Sequence, residues 1–370
     1  MKLLLVDDET RVLDGLERML MQCAPEEWEV LTAASGREAL EILRAEPIDV
    51  IVSDMRMPGM DGAELLGLVH AEHPGVVRLV LSGQMGEEAA LRAVPHAHQF
   101  LSKPCGGEVL CDAIARALHL REALGDEVIR RQLGSLDRLP PVPATYAELT
   151  RLLSQPDADL GPIADLVARD PALAAKILQL VNSSFFSRGG TVTDLKAAVA
   201  RLGLRTLASL ALAVGAFRPE ACRGDLDGEA LVERAAHAGA LARALAPPVR
   251  AHDAFIAGLL ADVGWIALCA ASPERFGRLP LRERSSRDDE RAAGLDHAAA
   301  GAYLLGLWGL PTAICQAVGL HHEAPLFARE PVADLPSLAY VATRVADGET
   351  PDPAFVAALG LTERLAKVLP

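Results

Sequence analysis

Apolar runs and helical patterns alternate over the first part of the chain. Leu3–Val6 is a continuous apolar run, which is typical of a strand buried on both faces. From Thr10 to Met21 the apolar side chains recur every three or four positions, as on one face of a helix. The same pattern predicts strands at 29–33, 49–53, 78–81 and 99–102, and helices at 36–44, 63–73, 87–93 and from 108 onward. Five strands that alternate with helices predict a doubly wound parallel sheet.

The hydrophobic pattern changes in the second part of the chain. A long, largely polar helix is predicted over Glu108–Leu133, and the proline-rich Leu139–Pro143 that follows prevents it from continuing, which places the domain boundary near residue 135. Beyond it, helical segments rich in Ala and Leu predict an all-α domain of about ten helices. We therefore expect an α/β domain over 1–122, a helical linker over 123–138 and an all-α domain over 139–370. The polar helix could span to the next domain, pack on a second subunit or be a solvated linker.

Polar side chains stand where the predicted strands end. They are Asp7, Asp8, Asp54, Ser82 and Lys103. The carboxyl ends of parallel strands lie along one edge of a sheet, so these side chains can converge. Carboxylates that are packed together repel one another, and a hard divalent cation such as Mg²⁺ relieves that repulsion. A lone Asp at a strand end is usually a turn or cap residue, so the prediction depends on the combination.

This combination also indicates a reaction. The carboxylate of Asp54 can act as a nucleophile toward a phosphoryl group and form an acyl phosphate. Ser82 can donate a hydrogen bond to a phosphoryl oxygen, and Lys103 can pair with it as a point charge. The cation would neutralise charge during the transfer.

The surrounding motifs resemble the receiver domain of bacterial two-component response regulators. They are Val6–Glu9, Ser53–Gly62, Leu81–Gly83 and Phe100–Pro104. None of these key positions departs from the family pattern. The resemblance covers residues 1–122 and implies a flavodoxin-like fold in which Asp54 takes phosphate from a histidine kinase.

The resemblance also implies roles for neighbouring residues. Mg²⁺ would be held by Asp8, Asp54 and the backbone carbonyl of Arg56, with Asp7 assisting. On phosphorylation, Ser82 would move toward the phosphate and Phe100 would turn inward. Lys103 and Pro104 would be joined by a peptide bond that is often cis in this family, and proline permits that isomer at modest cost.

The second domain is similar to the HDOD output domain, a signalling branch of the HD-type metal phosphohydrolases. Its motifs are Leu139–Pro143, Ala168–Pro171, Leu178–Ser183, Ala200–Gly203, Ala257–Gly264, Asp296–His297, Leu307–Pro311 and His321–His322. Active HD hydrolases bind metal through His and Asp side chains. The candidates for a vestigial pocket here are His237, Asp262, His297, His321, His322 and Asp347.

Two positions depart from the pattern of active hydrolases. Ala261 stands where the His of the His-Asp pair is expected, and a methyl group cannot ligate metal. Trp265 replaces the lysine that often follows. Loss of one imidazole should remove much of the affinity for metal, so we expect no metal or only weak metal binding, and no catalysis. Each histidine also has an ordinary structural alternative, such as capping the carbonyls at a helix end.

Composition excludes several classes of protein. The net charge is −14, and no stripe of Lys and Arg offers a surface for DNA. The six cysteines are scattered without a CxxC pair, so we expect reduced thiols rather than structural disulfides or a zinc finger. The apolar runs are too short for a signal peptide or a membrane-spanning helix, so we expect a soluble, cytoplasmic protein.

The sequence therefore predicts a phosphorelay response regulator with a receiver input and a non-catalytic HDOD output. Its expected partners are a histidine kinase, an unidentified downstream protein or a nucleotide, and, by resemblance, a second copy of the chain. No DNA or membrane partner is expected. One alternative is a phosphorylation-gated phosphodiesterase of cyclic dinucleotides, against which Ala261 and Trp265 argue. Another is a transcription factor, which would need a basic recognition helix.

Overall fold

The computed structural model describes most of the chain. The described segments are residues 1–23, 28–83, 96–123, 159–182, 191–203, 228–272, 296–323 and 333–368, with a few single residues between 133 and 152. The chain forms two compact units. The main segment of the first is Met1–Arg138, and the second comprises Leu139–Leu178, Thr191–Leu305 and Leu310–Pro370.

A parallel sheet forms the centre of the first unit. Its strands are β1 (Lys2–Val6), β2 (Glu29–Ala33), β3 (Val50–Asp54), β4 (Val77–Ser82) and β5 (Gln99–Ser102), in the order β2-β1-β3-β4-β5. Every residue of β3 and β4 is buried, as expected of strands covered on both faces. The predicted five-stranded, doubly wound sheet is confirmed.

The register of the strands brings their carboxyl ends to one edge. Val6 of β1 lies beside Ser53 of β3, and Asp54 lies beside Leu81 of β4. Ser82 in turn lies beside Ser102 of β5. The last residues of four strands are therefore neighbours, which is the placement that a site at this edge requires.

Four helices of this unit are described. They are α1 (Thr10–Cys23), α2 (Gly36–Ala45), α3 (Gly62–Glu72) and α4 (Gly107–Ala123). Two side chains satisfy amides at the start of α2: Ser35 accepts a hydrogen bond from the Glu38 amide, and the Glu38 carboxylate accepts one from the amide of Ala34, just before the cap. Asp61 caps α3 by accepting from the Glu64 amide at 2.9 Å. The helix predicted at 87–93 lies outside the described residues.

The regular secondary structure described in the second unit consists of helices. Its helices are α5 (Leu160–Val167), α6 (Pro171–Asn182), α7 (Gly228–Leu245), α8 (Ala251–Leu260), α9 (Val263–Ala271), α10 (His297–Leu307), α11 (Thr312–Leu320), α12 (Leu335–Ala346), α13 (Pro353–Ala358) and α14 (Thr362–Val368). Residues 195–203 are also helical. The predicted helix at 205–217 lies outside the described residues.

Two of the predicted helices are each divided in the structure. The segment 253–271 was predicted as one helix, but Asp262 has a non-helical backbone (φ −95°, ψ 10°) and separates α8 from α9. The segment 353–369 is divided at Gly360, whose φ of 66° is the left-handed conformation that ends helices. There the amides of Gly360 and Leu361 donate to Ala357 and Val356, which satisfies carbonyls at the end of α13.

Small residues allow helices of the second unit to approach at backbone distance. A Cβ atom built on Gly264 of α9 would lie 1.8 Å from the carbonyl oxygen of His297. One built on Gly258 of α8 would lie 2.6 Å from the carbonyl oxygen of Ala238 in α7. Only glycine fits at either position, so these contacts set the spacing of α7 to α8 and of α9 to α10.

One segment of the described residues is long and apolar enough to cross a membrane by composition. It is Pro248–Ala271, a 24-residue stretch that comprises a short 3₁₀ turn (Pro248–Arg250), α8 and α9. Its most apolar window is 83% buried inside the fold, as in the core helices of soluble proteins. The apolar composition of this segment is therefore only weak evidence that it crosses a membrane.

The expectation of reduced thiols throughout is wrong at one position. Cys111 in α4 is disulfide-bonded, whereas Cys105, Cys269 and Cys315 are free. A disulfide requires two Cβ atoms to approach within about 4 Å. Sequence spacing does not show which side chains meet in this way.

The close approach at Gly264 leads to a stability prediction. In the Gly264→Ala variant the added methyl group would push α9 away from the backbone of His297. We expect the free energy of unfolding to fall by about 1–3 kcal/mol or more, as measured by urea unfolding followed by far-UV circular dichroism.

The matched control is Gly161→Ala in α5. There the nearest atom to the added Cβ is a carboxylate oxygen of Asp159 at 3.6 Å, an ordinary contact. Alanine also favours helix over glycine by up to about 1 kcal/mol, so this variant should be as stable as the parent or more stable. Equal losses in the two variants would show that α9 and α10 are not in tight backbone contact.

Candidate functional site

The carboxyl edge of the sheet gathers two acids around one lysine. Asp7 follows β1 directly, and Asp54 is the last residue of β3; they are 2% and 9% exposed. The ammonium nitrogen of Lys103, which directly follows β5, lies 2.5 Å from Oδ2 of Asp7 and also contacts Oδ1 of Asp54. One cation therefore bridges two buried carboxylates.

Backbone amides fix the other oxygen of each carboxylate. Oδ2 of Asp54 accepts a hydrogen bond from the Arg56 amide at 2.6 Å. Oδ1 of Asp7 accepts one from the Glu9 amide at 3.0 Å. Each acid is thus held at both oxygens, so its orientation does not depend on Lys103 alone.

The loop after β3 folds back tightly onto Asp54. The Gly62 amide donates to the Met55 carbonyl at 2.9 Å, and Gly59 has a φ of 82°. A Cβ atom on Gly62 would lie 2.2 Å from the Asp54 carbonyl oxygen. The glycines of the Pro-Gly-rich motif therefore let the chain turn immediately beside the acid.

The electrostatics of Lys103 follow from its two partners. Its partial burial acts to lower the pKa of the ammonium group. The hydrogen bonds and charges of Asp54 and Asp7 outweigh burial, so the net effect is a raised pKa. Lys103 is therefore a permanent cation at physiological pH.

The remaining predicted residues lie around this centre. Asp8 is exposed beside Asp7. Ser82 is buried, and its hydroxyl donates a long hydrogen bond of 3.4 Å to the Gly83 carbonyl. Phe100 is buried, with only 6% of its surface exposed. The Lys103–Pro104 peptide is cis, as the resemblance implies.

The donor set at this edge fits magnesium. Asp7, Asp8 and Asp54 offer carboxylate oxygens, and Arg56, which offers its backbone carbonyl, lies two residues after Asp54 in the chain. Mg²⁺ binds such oxygen ligands and keeps several waters, which the exposed position of Asp8 allows.

A second group of side chains comes together in the helical unit. Asp262, His297, His321 and His322 each offer one ligand atom, and these four atoms lie within 4.8 Å of one another. The Nε2 atom of His297 is 3.3 Å from Oδ1 of Asp262, 3.4 Å from Nε2 of His321 and 3.0 Å from Nε2 of His322. The first three side chains are buried, and His322 is half-buried.

Neighbouring contacts orient this cluster. The Nδ1–H group of His321 donates to the Val318 carbonyl at 2.6 Å, which turns Nε2 toward Asp262. The Trp265 ring stacks on His297, with 4.8 Å between centroids and 19° between planes. The turn between α8 and α9 carries Asp262 and so aims its carboxylate at the rings.

Arg234 of α7 belongs to the same network, although the sequence motifs did not indicate it. Its guanidinium nitrogens lie 3.0 Å from Oδ2 of Asp262 and 3.0 Å from Oδ1 of Asp347. The sequence feature that could have indicated Arg234 is its position directly before the buried Ala235 on an Ala-rich helix.

Two members of the cluster, Asp262 and His321, have pKa values that are shifted by burial and by neighbouring charges. Burial acts to raise the pKa of Asp262, but Arg234 and a hydrogen bond with His297 outweigh it and hold that pKa well below its usual range. For His321, burial is the largest cause of a pKa lowered to about 4. The His321 ring is therefore neutral at pH 7, with its Nε2 lone pair facing the cluster.

Two of the six predicted pocket residues are placed elsewhere. His237 is exposed on α7 and is not one of the four clustered residues. Asp347 is exposed at the end of α12 and joins the network only through Arg234. The helical period explains the first case, because the neighbouring Ala235 and Ala238 face the core and His237 does not.

The shared lysine of the sheet edge leads to a second stability prediction. Lys103→Met would leave Asp7 and Asp54 buried together without their cation. We expect local stability to fall by about 1.5–3 kcal/mol, the range for hydrogen bonds to charged groups. Hydrogen exchange of the β1 and β3 amides in the full chain measures this loss.

Lys2→Met is the control for this measurement. It removes a lysine that pairs with the exposed side chains of Glu29 and Glu46 in the same unit. Exposed ion pairs contribute little to stability, so exchange should change far less. If the two variants behaved alike, Lys103 would not be the residue that holds the two acids together.

Comparison with known families agrees with both parts of the structure. The family model for the response regulator receiver domain matches residues 3–115. The model for the HDOD domain matches residues 139–324, which is half of the chain. A similar solved structure is the MmoQ response regulator from Methylococcus capsulatus str. Bath, with 25% identity and a TM-score of 0.51; the match covers 62% of this chain and 97% of that one.

Curated relatives match parts of the chain. An uncharacterized protein of Treponema pallidum is 32% identical over 227 residues, which are 58% of this chain and 44% of that protein. The hydrogenase transcriptional regulatory protein HoxA of Cupriavidus necator is 39% identical over 33% of this chain and 25% of its own length. The uncharacterized transcriptional regulatory protein YesN of Bacillus subtilis is 27% identical over 63% of this chain and 70% of its own length. The chain thus spans less than half of the first two relatives.

The family matches coincide with the two units and with their two clusters of polar residues. Asp54 and Lys103 lie within the receiver match, and the Asp262 cluster lies within the HDOD match. The chain therefore belongs to the HDOD family, and it is a response regulator with an N-terminal receiver domain and a C-terminal HDOD domain.

Proposed function

We propose that Asp54 accepts a phosphoryl group from a histidine kinase and that the HDOD domain relays this state to a partner without catalysing a reaction. The observation that carries the proposal is the Lys103 ammonium, which bridges Asp7 and Asp54 at the carboxyl edge of the receiver sheet. This contact holds the carboxylate of Asp54, the proposed nucleophile, in position. The lysine also provides a fixed positive charge where the phosphoryl oxygens would lie.

The transfer can be followed through the residues of the chain. A carboxylate oxygen of Asp54 attacks the phosphorus of the kinase phosphohistidine. The P–N bond breaks, an acyl phosphate P–O bond forms, and the histidine nitrogen leaves with its electron pair and takes up a proton. Lys103 then pairs with a phosphoryl oxygen while it remains beside Asp7. Mg²⁺ held by Asp7, Asp8, Asp54 and the Arg56 carbonyl would supply charge neutralisation when bound.

The same residues account for a switch. Both oxygens of Asp54 are engaged, one by Lys103 and one by the Arg56 amide, so phosphorylation must displace one of these contacts. The Ser82 hydroxyl makes only a long bond to Gly83 and can turn toward a phosphoryl oxygen at little cost. Phosphorylation would then shift the receiver between two populated states.

Three features support a non-catalytic output domain. Ala261 replaces a metal-binding imidazole, and the Trp265 ring packs on His297 where active hydrolases often carry a lysine. Arg234 already neutralises the Asp262 carboxylate. The domain would therefore act by contact with a downstream protein or by binding a nucleotide.

The setting proposed for this relay is the cytoplasm, where a histidine kinase can reach the receiver. The net charge of −14 disfavours DNA as the output partner. A second copy of the chain is a further candidate partner, by resemblance to other receivers.

Phosphorylation of Asp54 can be tested directly. The full chain incubated with a small phosphodonor and Mg²⁺ should gain the mass of one phosphoryl group, as measured by intact-protein mass spectrometry. Asp54→Asn should gain none, because an amide is not a nucleophile toward phosphorus. Asp8→Asn should slow the gain, because it removes an expected magnesium ligand.

Asp112→Asn is the matched control for these variants. Asp112 is an exposed acid on α4 that is not one of the predicted site residues, and its variant should be labelled as fast as the parent. Labelling of Asp54→Asn at the parent rate would refute the assignment of the phosphoacceptor.

The non-catalytic role of the HDOD domain makes a separate prediction. Phosphorylated and unphosphorylated full chain, supplied with divalent metal, should leave cyclic dinucleotides intact in a chromatographic assay. Turnover that is lost in His297→Ala and kept in His237→Ala would establish the hydrolase alternative instead. The exposed position of His237 makes it the appropriate comparison.

A further inference from the structure

We propose that Arg78 and His98 form a pH-sensitive latch, which holds the start of β4 against the start of β5 only while the His98 ring is neutral. Arg78 is the second residue of β4, and His98 directly precedes β5. Both lie toward the amino ends of the strands, away from Asp54 at the carboxyl edge. The inference does not depend on the phosphorylation of Asp54.

Arg78 is a buried cation inside the first unit. Only 1% of its surface is exposed. Its guanidinium donates to three backbone carbonyls, those of His96 at 2.6 Å, Val76 at 3.0 Å and Pro74 at 3.3 Å. The guanidinium group is not deprotonated in proteins. Arg78 is therefore a fixed positive charge, held in place by the backbone around it.

His98 meets this cation with both of its ring nitrogens. Nδ1 accepts a hydrogen bond from the backbone amide of Arg78 at 3.0 Å, and Nε2 lies 2.9 Å from Nη2 of the same residue. The backbone amide of His98 donates in turn to the Arg78 carbonyl at 2.8 Å. His98 is only 2% exposed, and strand pairing begins directly afterwards, with Leu79 beside Gln99. The two residues therefore join β4 to β5 where their pairing starts.

The partners of the His98 ring limit the number of protons that it can carry. A backbone amide and a guanidinium are both donors, and neither accepts a hydrogen bond. The neutral ring has one proton, so it can accept at one nitrogen only. A second proton would place an N–H group against each donor and a new charge beside the guanidinium, in a buried position. The closed latch therefore excludes the charged form of His98.

Histidines are the titratable groups on the α3 side of the latch. His96, whose carbonyl binds Arg78, meets the ring of His70 edge-on, with 5.8 Å between centroids. His73 follows α3, and its carbonyl accepts from the Val76 amide. Protonation of these rings would add positive charge near Arg78 and so act in the same direction as protonation of His98. The test must therefore separate His98 from its neighbours.

Strand β3 lies on the other side of β4. It places the apolar residue Ile51 beside Arg78. Asp49, which precedes β3, uses Oδ2 to accept a hydrogen bond from the Lys2 amide at 3.0 Å. This side of the latch therefore presents an apolar side chain, and the Asp49 carboxylate is held toward β1.

Proton binding couples pH to the opening of this part of the sheet. A solvated histidine takes up its proton near about pH 6.5. The opened latch binds that proton and the closed latch does not, so the stability from the latch is fully present above about pH 6.5 and is lost below it. Because β4 ends at Ser82 and β5 leads directly to Lys103, acid would loosen the two strands that position these residues.

Hydrogen exchange of the full chain from about pH 8 to about pH 5 tests the latch, because this range spans the proton uptake of a solvated histidine. Protection of the β4 and β5 amides, corrected for the intrinsic exchange rate at each pH, should fall by up to about tenfold per pH unit below about pH 6.5. His98→Asn and His98→Gln each keep one acceptor for an Arg78 donor and do not titrate. Protection in these variants should therefore change far less with pH.

His73→Gln is the matched control, since it removes a half-buried histidine of the same unit. It should keep the pH dependence of the parent, and His96→Gln should keep most of it, because the carbonyl that binds Arg78 remains. Protection in the parent that does not vary with pH would overturn the proposal. So would a pH dependence that persists in the His98 variants or disappears in His73→Gln.

Nitrogen NMR of the histidine-labelled parent gives a direct readout that does not require a folded variant. The His98 ring, assigned through its contact with the Arg78 amide, should stay neutral in the folded chain at about pH 5.5, where a solvated histidine is mostly charged. A charged His98 ring in the folded chain at that pH would refute the latch.

Discussion

The Lys103 ammonium is the interaction on which the receiver edge depends. Two carboxylates buried in the same place repel one another, and each loses solvation by leaving water. Because β1 and β3 are neighbours in the sheet, Asp7 and Asp54 must meet; because Lys103 directly follows β5, its long side chain can reach both. The reactivity proposed for Asp54 would follow from the same arrangement, since the charge that allows the acids to be buried is also the charge that a phosphoryl group would meet.

In the helical unit, too, one cation, Arg234, pairs with two carboxylates. Arg234 bridges Asp262 and Asp347 as Lys103 bridges Asp7 and Asp54. Here the backbone supplies a second constraint, because Gly264 lets α9 lie directly against His297. The distances among the four clustered side chains are therefore set by helix packing, and they do not require a bound ion to hold them in place.

Much of this arrangement could be predicted from sequence, and the rest shows where local patterns fail. Apolar runs located the central strands β1, β3 and β4, because a strand buried on both faces leaves a nearly uninterrupted signal. The turn at Asp262 was not predicted, since the residues on both sides of it are apolar and continue a helical pattern. Arg234 was missed because metal motifs specify ligands and not the counter-charges that orient them. The disulfide of Cys111 and the exposed position of His237 depend on tertiary contacts and helix orientation, which residue spacing alone does not give.

The shared lysine also sets how large the phosphorylation signal can be. Asp7, Asp54 and Lys103 together carry one net negative charge. An acyl phosphate with about two negative charges would replace the single charge of Asp54, and the trio would then carry about two. In the proposed phosphorylated state Lys103 would stay beside Asp7 but would share its single charge between Asp7 and a phosphoryl oxygen, so its attraction to Asp7 would weaken. The proposed switch would thus be a competition between two anions for one cation, and it would affect β1, which Asp7 follows directly, as well as β3, which ends at Asp54.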